Sequence, residues 1–275
     1  MTGGRHSAAL LSGDRLHLHH GPIDLVIGWD GPGRSSAFRR AEVRFATILD
    51  ELVPELPRLR RPVCTGFEGP VAQRMARATA PHQATFVTPM AAVAGAVADE
   101  VLGAMRPGPD VGKAYVNNGG DIACHITGNA RLTVMGATGP ITLTGTERVR
   151  GVATSGWRGR SLSLGIADAV TVLARDAARA DVAATLIANS VDLPKHPAIQ
   201  RRPATEIAPD SDLGERPATV SVGPLTLADV RTALAAGARV ARHMRDGGLI
   251  DGVSLTLNGE TLVLNHETDL MEGHS

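Results

Sequence analysis

Residues 151–191, GVATSGWRGRSLSLGIADAVTVLARDAARADVAATLIANSV, constrain this chain more than any other stretch. The β-branched run Asp168–Ala174 suits a buried strand. The Ala-rich run from Asp176 to Asn189 suits a helix, with Asp176 placed to cap its first turn. A buried strand feeding a helix belongs to a mixed α and β architecture. On that helix Asp181 and Thr185 stand four residues apart and share a face. Paired oxygen donors of this kind suit a hard cation such as Mg²⁺, which keeps waters and a substrate phosphate as its other ligands. The loop before the strand carries Thr154, Ser155, Gly156, Trp157, Arg158 and Arg160, and its glycines permit a tight turn or a close approach to a ligand.

The rest of the chain fits one α+β domain over residues 1–275. Aromatic residues are only 3% of the sequence, so Ala, Val and Leu must build the core. The formal net charge is zero, so no long-range field steers the chain onto nucleic acid or an anionic membrane. Neither partner is expected. No apolar run reaches the length of a membrane span, and the first residues lack a secretory apolar core, so a cytoplasmic protein is expected. Cys64 and Cys124 read as small buried residues rather than a disulfide or metal pair.

Two strands, Leu16–His20 and Ile23–Trp29, flank the turn-forming Gly21-Pro22. His17 and His19 share a strand face, which admits a metal site or simply a solvated edge. Apolar spacing predicts a helix over 35–52 and a shorter one over 69–80. The segment DELVPELPRLRRP between them reads as a rigid, charged connector. Thr88 and Pro89 announce a helix to about Met105, with Gly95 and several alanines giving it a face small enough for backbone or a flat ligand. Asp99 projects from it. Lys113–Asn117 and Ile122–Thr127 read as strands around a glycine turn, whose N–H groups suit phosphate oxygens. Residues 193–217 read as an extended loop or lid, 226–245 as a helix, and Asn258-Gly259 as a hairpin turn.

Four pieces then stand in order: Gly95 with Asp99, VNNGGDI (116–122), ATSGW (153–157) and ADVAAT (180–185). Together they resemble the ApbE-like superfamily, and DELVPELP and SLGIADAVTVLA resemble one soluble branch of it. The resemblance implies an α+β, T-fold-related mixed sheet with packed helices. It also implies FAD or FMN as substrate or ligand, with Mg²⁺. By position, Asp181 and Thr185 match metal ligands. Gly95, Asp99, Asn117, Gly119, Gly120, Asp121, Thr154, Ser155, Gly156, Trp157 and Arg158 match the nucleotide-binding positions. The catalytic base stays unassigned.

The implied chemistry is FMN transfer from FAD to a threonine of an acceptor protein, or hydrolysis of FAD to FMN and AMP. Two departures bear on it. The family's His-containing segment ending in Asp-Pro is replaced by SLSLGIADAVTV, and the position before the helix glycine is Ala94. A non-catalytic flavin-binding protein, or a pocket serving another small substrate, therefore stays open beside the enzyme. Homo-oligomerisation is equally open.

Overall fold

The computed structural model describes residues 6–62 and 65–265, so the expectation for Cys64 lies outside the described residues. The chain forms two compact units, Met1–Val134 with Ile141–Ala153 and Arg175–Asp181, and Met135–Pro140 with Thr154–Ala174 and Val182–Ser275.

In the first unit, strands β1 (Ser7–Leu11), β2 (Arg15–His20) and β3 (Ile23–Asp30) are followed by helices α1 (Arg34–Leu52), α2 (Leu56–Leu59), α3 (Pro70–Thr79) and α4 (Val93–Met105). Strands β4 (Lys113–Asn118) and β5 (Asp121–Ile126) come next. Then come β6 (Arg131–Gly136) and β7 (Gly139–Thr144), which pair with each other, and β8 (Gly151–Ser155). β1 to β5 form an antiparallel meander, and β8 pairs with β5 through Ile122↔Val152. The period-two pattern of β2 places Leu16, Leu18 and His20 in the core and turns Arg15, His17 and His19 outward. Phe38, Phe45, Ile48 and Leu52 of α1 are buried, as their spacing predicts. α4 packs on α1, α3, β4 and β5.

The second unit contains β9 (Ala169–Ala174), the later turns of α5 (Ala177–Ser190), β10 (Ile199–Pro203), α6 (Ala204–Ile207), β11 (Pro217–Val222), α7 (Leu227–Asp246), β12 (Gly252–Leu257) and β13 (Glu260–Leu264). β9, β12 and β13 form a second antiparallel meander, on which α7 packs through β12 and β13. A reciprocal Thr226–Asp229 capping box opens α7. Asn258 and Gly259 both take positive φ, the geometry a two-residue hairpin requires.

Two sequence expectations are corrected. The segment DELVPELPRLRRP is not a solvated connector: it continues α1 into a 3₁₀ turn and α2. Its acids serve the fold, since Glu51 pairs with Arg44 and Glu55 accepts the N–H groups of Glu68 and Gly69. Residues 193–217 are a loop only in part: β10 and α6 take up 199–207, and β10 pairs antiparallel with β11, which starts at Pro217. Their backbone groups bond to each other, which proline count and charge do not reveal. Among the described residues, no helix is long and apolar enough to cross a membrane.

Candidate functional site

The site begins with two helix starts that cap each other, both in the first unit. A helix leaves its first N–H groups without partners inside itself. At the start of α5, the Asp99 Oδ1 accepts the Ala177 N–H at 3.1 Å and its Oδ2 accepts the Ala178 N–H at 2.9 Å. Asp176 takes the next N–H, that of Arg179, at 2.8 Å, and so caps as its position predicts. The start of α4 has no side-chain cap of its own. Asp181, from α5, supplies it: its Oδ2 accepts the Gly95 N–H at 3.0 Å, and Ala94 donates to the same carboxylate. Each helix therefore carries the carboxylate that satisfies the other.

Close approach makes this possible. A Cβ on Gly95 would stand 2.2 Å from the Ala177 carbonyl oxygen, and one on Gly151 would stand 2.1 Å from that of Asp176. The first turn of α5 is clasped between these two glycines. Gly95 thus serves backbone packing, the first of the two uses its small face admits. Asn118, which the sequence reading passes over, is buried and donates from its Nδ2 to the Ala94 carbonyl at 3.1 Å. Its only sequence signal is its place beside the glycine turn.

The electrostatics of the two acids differ. Burial raises Asp99 to about 6, against the pull of the Ala178 and Ala177 N–H groups, and Arg74 offsets some of the repulsion from Asp176. Asp181 is raised well above the ordinary carboxylate value, first by burial and next by the negative charge of Asp121; only the Gly95 and Ala94 N–H groups hold it down. From Ala180 to Ala188 every residue of α5 is buried except Asp181 and Thr185, which stay partly exposed. The predicted donor pair is thus the accessible part of that stretch.

The glycine turn beside Asp121 is real, with Gly119 and Gly120 at φ 65° and 117°. One expected phosphate donor is already engaged, since the Gly120 N–H bonds the Asn117 Oδ1 at 2.8 Å. Gly95, Asp99, Asp121 and Asp181 are brought together; Asn117 and Gly119 belong to the turn.

Residues 154–158 form their own constellation in the second unit. Thr154 shares a 2.9 Å hydrogen bond with Thr171. Gly156 is required by contact, because a Cβ there would stand 2.4 Å from the Asp168 carbonyl oxygen. The Arg158 guanidinium lies 4.6 Å over the Trp157 ring and bonds Asp168 at 2.6 Å. Asp168 also accepts the Asn258 N–H at 2.6 Å, so it fastens a turn. The Trp157 indole N–H is buried and has no acceptor.

The remaining candidates do not assemble a metal centre. His17 bonds Asp24 at 3.1 Å, His19 is exposed, and His20 is buried edge-on to Phe45. Among the described residues, no group of three or more His, Cys, Asp and Glu could hold a metal ion. Cys124 is free and buried, its thiol pushed up to about 12 by desolvation.

A family model described as AbpE bacteria matches residues 7–263. A UPF0280 protein of Methanosphaerula palustris is 43% identical over 136 residues, 46% of this chain and 55% of that protein. One of Methanothermobacter thermautotrophicus is 40% identical over 137 residues, 46% of this chain and 51% of its own length. The match thus spans about half the length of these two curated relatives. UPF0280 protein MK0206 of Methanopyrus kandleri is 38% identical over 201 residues, 68% of this chain and 78% of that one. The apo crystal structure of the Pseudomonas stutzeri flavinyl transferase ApbE aligns over 100% of both chains at 13% identity, with a TM-score of 0.47.

Proposed function

The chain belongs to the AbpE bacteria family, and on that premise we propose that it is an Mg²⁺-dependent enzyme acting on a flavin nucleotide. The reaction is transfer of FMN from FAD to a threonine of an acceptor protein, or hydrolysis of FAD to FMN and AMP. One observation carries the metal part. Asp181 is partly open, and the charge raising it most is another acid, Asp121. A divalent ion brings opposite charge to a carboxylate that a second acid raises, and so favours its ionised, ligating form. The Asp181 carboxylate has lone pairs left after accepting two N–H groups. The donor chemistry therefore fits Mg²⁺.

In this reading Asp181 holds the ion, with Thr185 one turn further along the same helix as the hydroxyl donor. When bound, the ion neutralises pyrophosphate charge. The protein's own groups do the placing. Asp99 and the two clasping glycines fix the first turn of α5, so the Asp181 side chain arrives in a set position. The turn at Gly119 and Gly120 brings backbone within reach of phosphate oxygens. In the second unit, Trp157 and Arg158 offer a flat ring and a fork-shaped donor, the pair of properties a flavin nucleotide rewards.

Purified protein given FAD and Mg²⁺ is expected to yield FMN and AMP, or a fluorescent flavinylated partner. Asp181→Ala should lower that rate by at least the ~10–100-fold that supporting residues of metal sites already cost. It should also abolish the rise in melting temperature that Mg²⁺ gives the parent. Unchanged activity in this variant overturns the metal assignment. Flavin binding without turnover would select the non-catalytic reading instead.

A further inference from the structure

We propose that the free edge of β1 pairs with the same strand of a second copy of this chain, closing an antiparallel two-fold dimer. Among the described residues β1 is the terminal strand of its sheet, bonded only to β2. All five of its residues are exposed, and Leu10 is 75% exposed. Its sequence, SAALL, has no charge and no proline, and its register against β2 has no bulge. Those are the devices by which edge strands normally refuse a partner.

The ladder shows which backbone groups are free. The two-residue turn closing His20↔Ile23 makes that pair hydrogen-bonded, so His20, Leu18 and Leu16 face β3. The alternate residues His19, His17 and Arg15 then face β1, where they pair with Ser7, Ala9 and Leu11. Ala8 and Leu10 are left with N–H and C=O groups pointing outward. A two-fold axis through Ala9 sets Ala8 opposite the partner subunit's Leu10, twice. All four residues then exchange their N–H···O bonds, which gives the self-complementarity an isologous contact demands.

The groove under this edge has the same symmetry in charge. It encloses about 330 Å³ between β1 and α1, and Arg39 and Glu42 line it with Ala8, Leu10 and Phe38. Arg39 makes no ion pair among the described residues, while Glu42 lies 3.4 Å from His6. Under the two-fold, each Arg39 faces the partner subunit's Glu42, and each exposed Leu10 enters the partner's groove. This surface is independent of the flavin reading.

Sedimentation velocity of the full chain across a dilution series tests it. The parent should be a dimer that dissociates on dilution. Ala8→Pro removes an outward N–H and leaves the β1–β2 ladder intact. It should weaken association on the order of tenfold or more, since two hydrogen bonds per dimer are lost. Leu10→Lys should do the same, with unchanged circular dichroism. Should either variant misfold, charge decides: Arg39→Glu weakens the dimer, and Arg39→Glu with Glu42→Arg restores it. A parent that is monomeric throughout overturns the proposal. So does a dimer indifferent to all of these changes.

Discussion

Asp99 and Asp181 perform the same backbone task, one at the start of α5 and the other at the start of α4, yet their surroundings set them apart. Asp99 places both oxygens on N–H groups of α5 and has Arg74 near enough to ease its charge. Asp181 places one oxygen on Gly95, with Ala94 donating beside it, and feels the negative charge of Asp121. The first holds the start of α5 with a basic side chain among its neighbours. The second holds the start of α4 with acids, Asp121 and Asp99, as the charges acting on it, and stays partly exposed. Two acids with one local job can thus differ in the charges around them, because the neighbours decide those.

The sharpest way to break this contrast is to push the helices apart. Gly95→Ala places a Cβ where the Ala177 carbonyl oxygen already sits, 2.2 Å away, and both caps depend on that approach. We expect a loss of about 3 kcal/mol or more, read by chemical denaturation, with Mg²⁺ stabilisation lost too. An unaltered midpoint would mean that the clasp does not hold α5.

The second test uses protons. Asp99 is raised in the fold to about 6 from a value near 3.8, so the folded chain binds its proton more tightly than the unfolded chain does. Its contribution to stability is present at low pH and is lost as pH rises from about 4 to 6. Asp181 is raised as well and acts in the same direction. Stability measured against Asp99→Asn should therefore fall across that window by up to about 3 kcal/mol and level off above it. A pH-independent difference would show that Asp99 ionises as freely in the fold as outside it.

The smallest effect belongs to the glycine turn. Asn117→Ala frees the Gly120 N–H from its side-chain acceptor. Stability should drop by only about 1 kcal/mol, because the turn is exposed and water replaces the bond. If the turn serves phosphate, nucleotide affinity measured by titration should hold or rise, since a donor has been released. A strong loss of affinity would assign the Asn117 side chain itself to the ligand.

Much of the fold was legible in the sequence. The alternation in β2 and β3, the apolar stripe of α1, the Thr226 helix start and the Asn258-Gly259 hairpin are local signals, each fixed by residues a few positions apart; Thr88 caps a 3₁₀ turn, Pro89–Ala92, that precedes α4. Asp176 as a cap was legible for the same reason. The connector 50–62 and the segment 193–217 were not, because charge and proline mark a chain's solubility and stiffness rather than its hydrogen-bond partners. Of the site, the residue types and the order of Gly95, Asp99, Asp121, Asp181 and Thr185 were visible in the sequence. Asn118 and Gly151 were missed, since neither has a periodic or motif signature of its own.

Sequence alone determined where most of the strands and helices run, because backbone preference and side-chain period act over one or two turns. Tertiary structure alone decided what the acids do. Asp99 and Asp181 reach N–H groups of a helix remote in the chain only when two glycines let the backbones nearly touch. A carboxylate's charge state follows from burial and from neighbouring charges that no stretch of residues contains by itself.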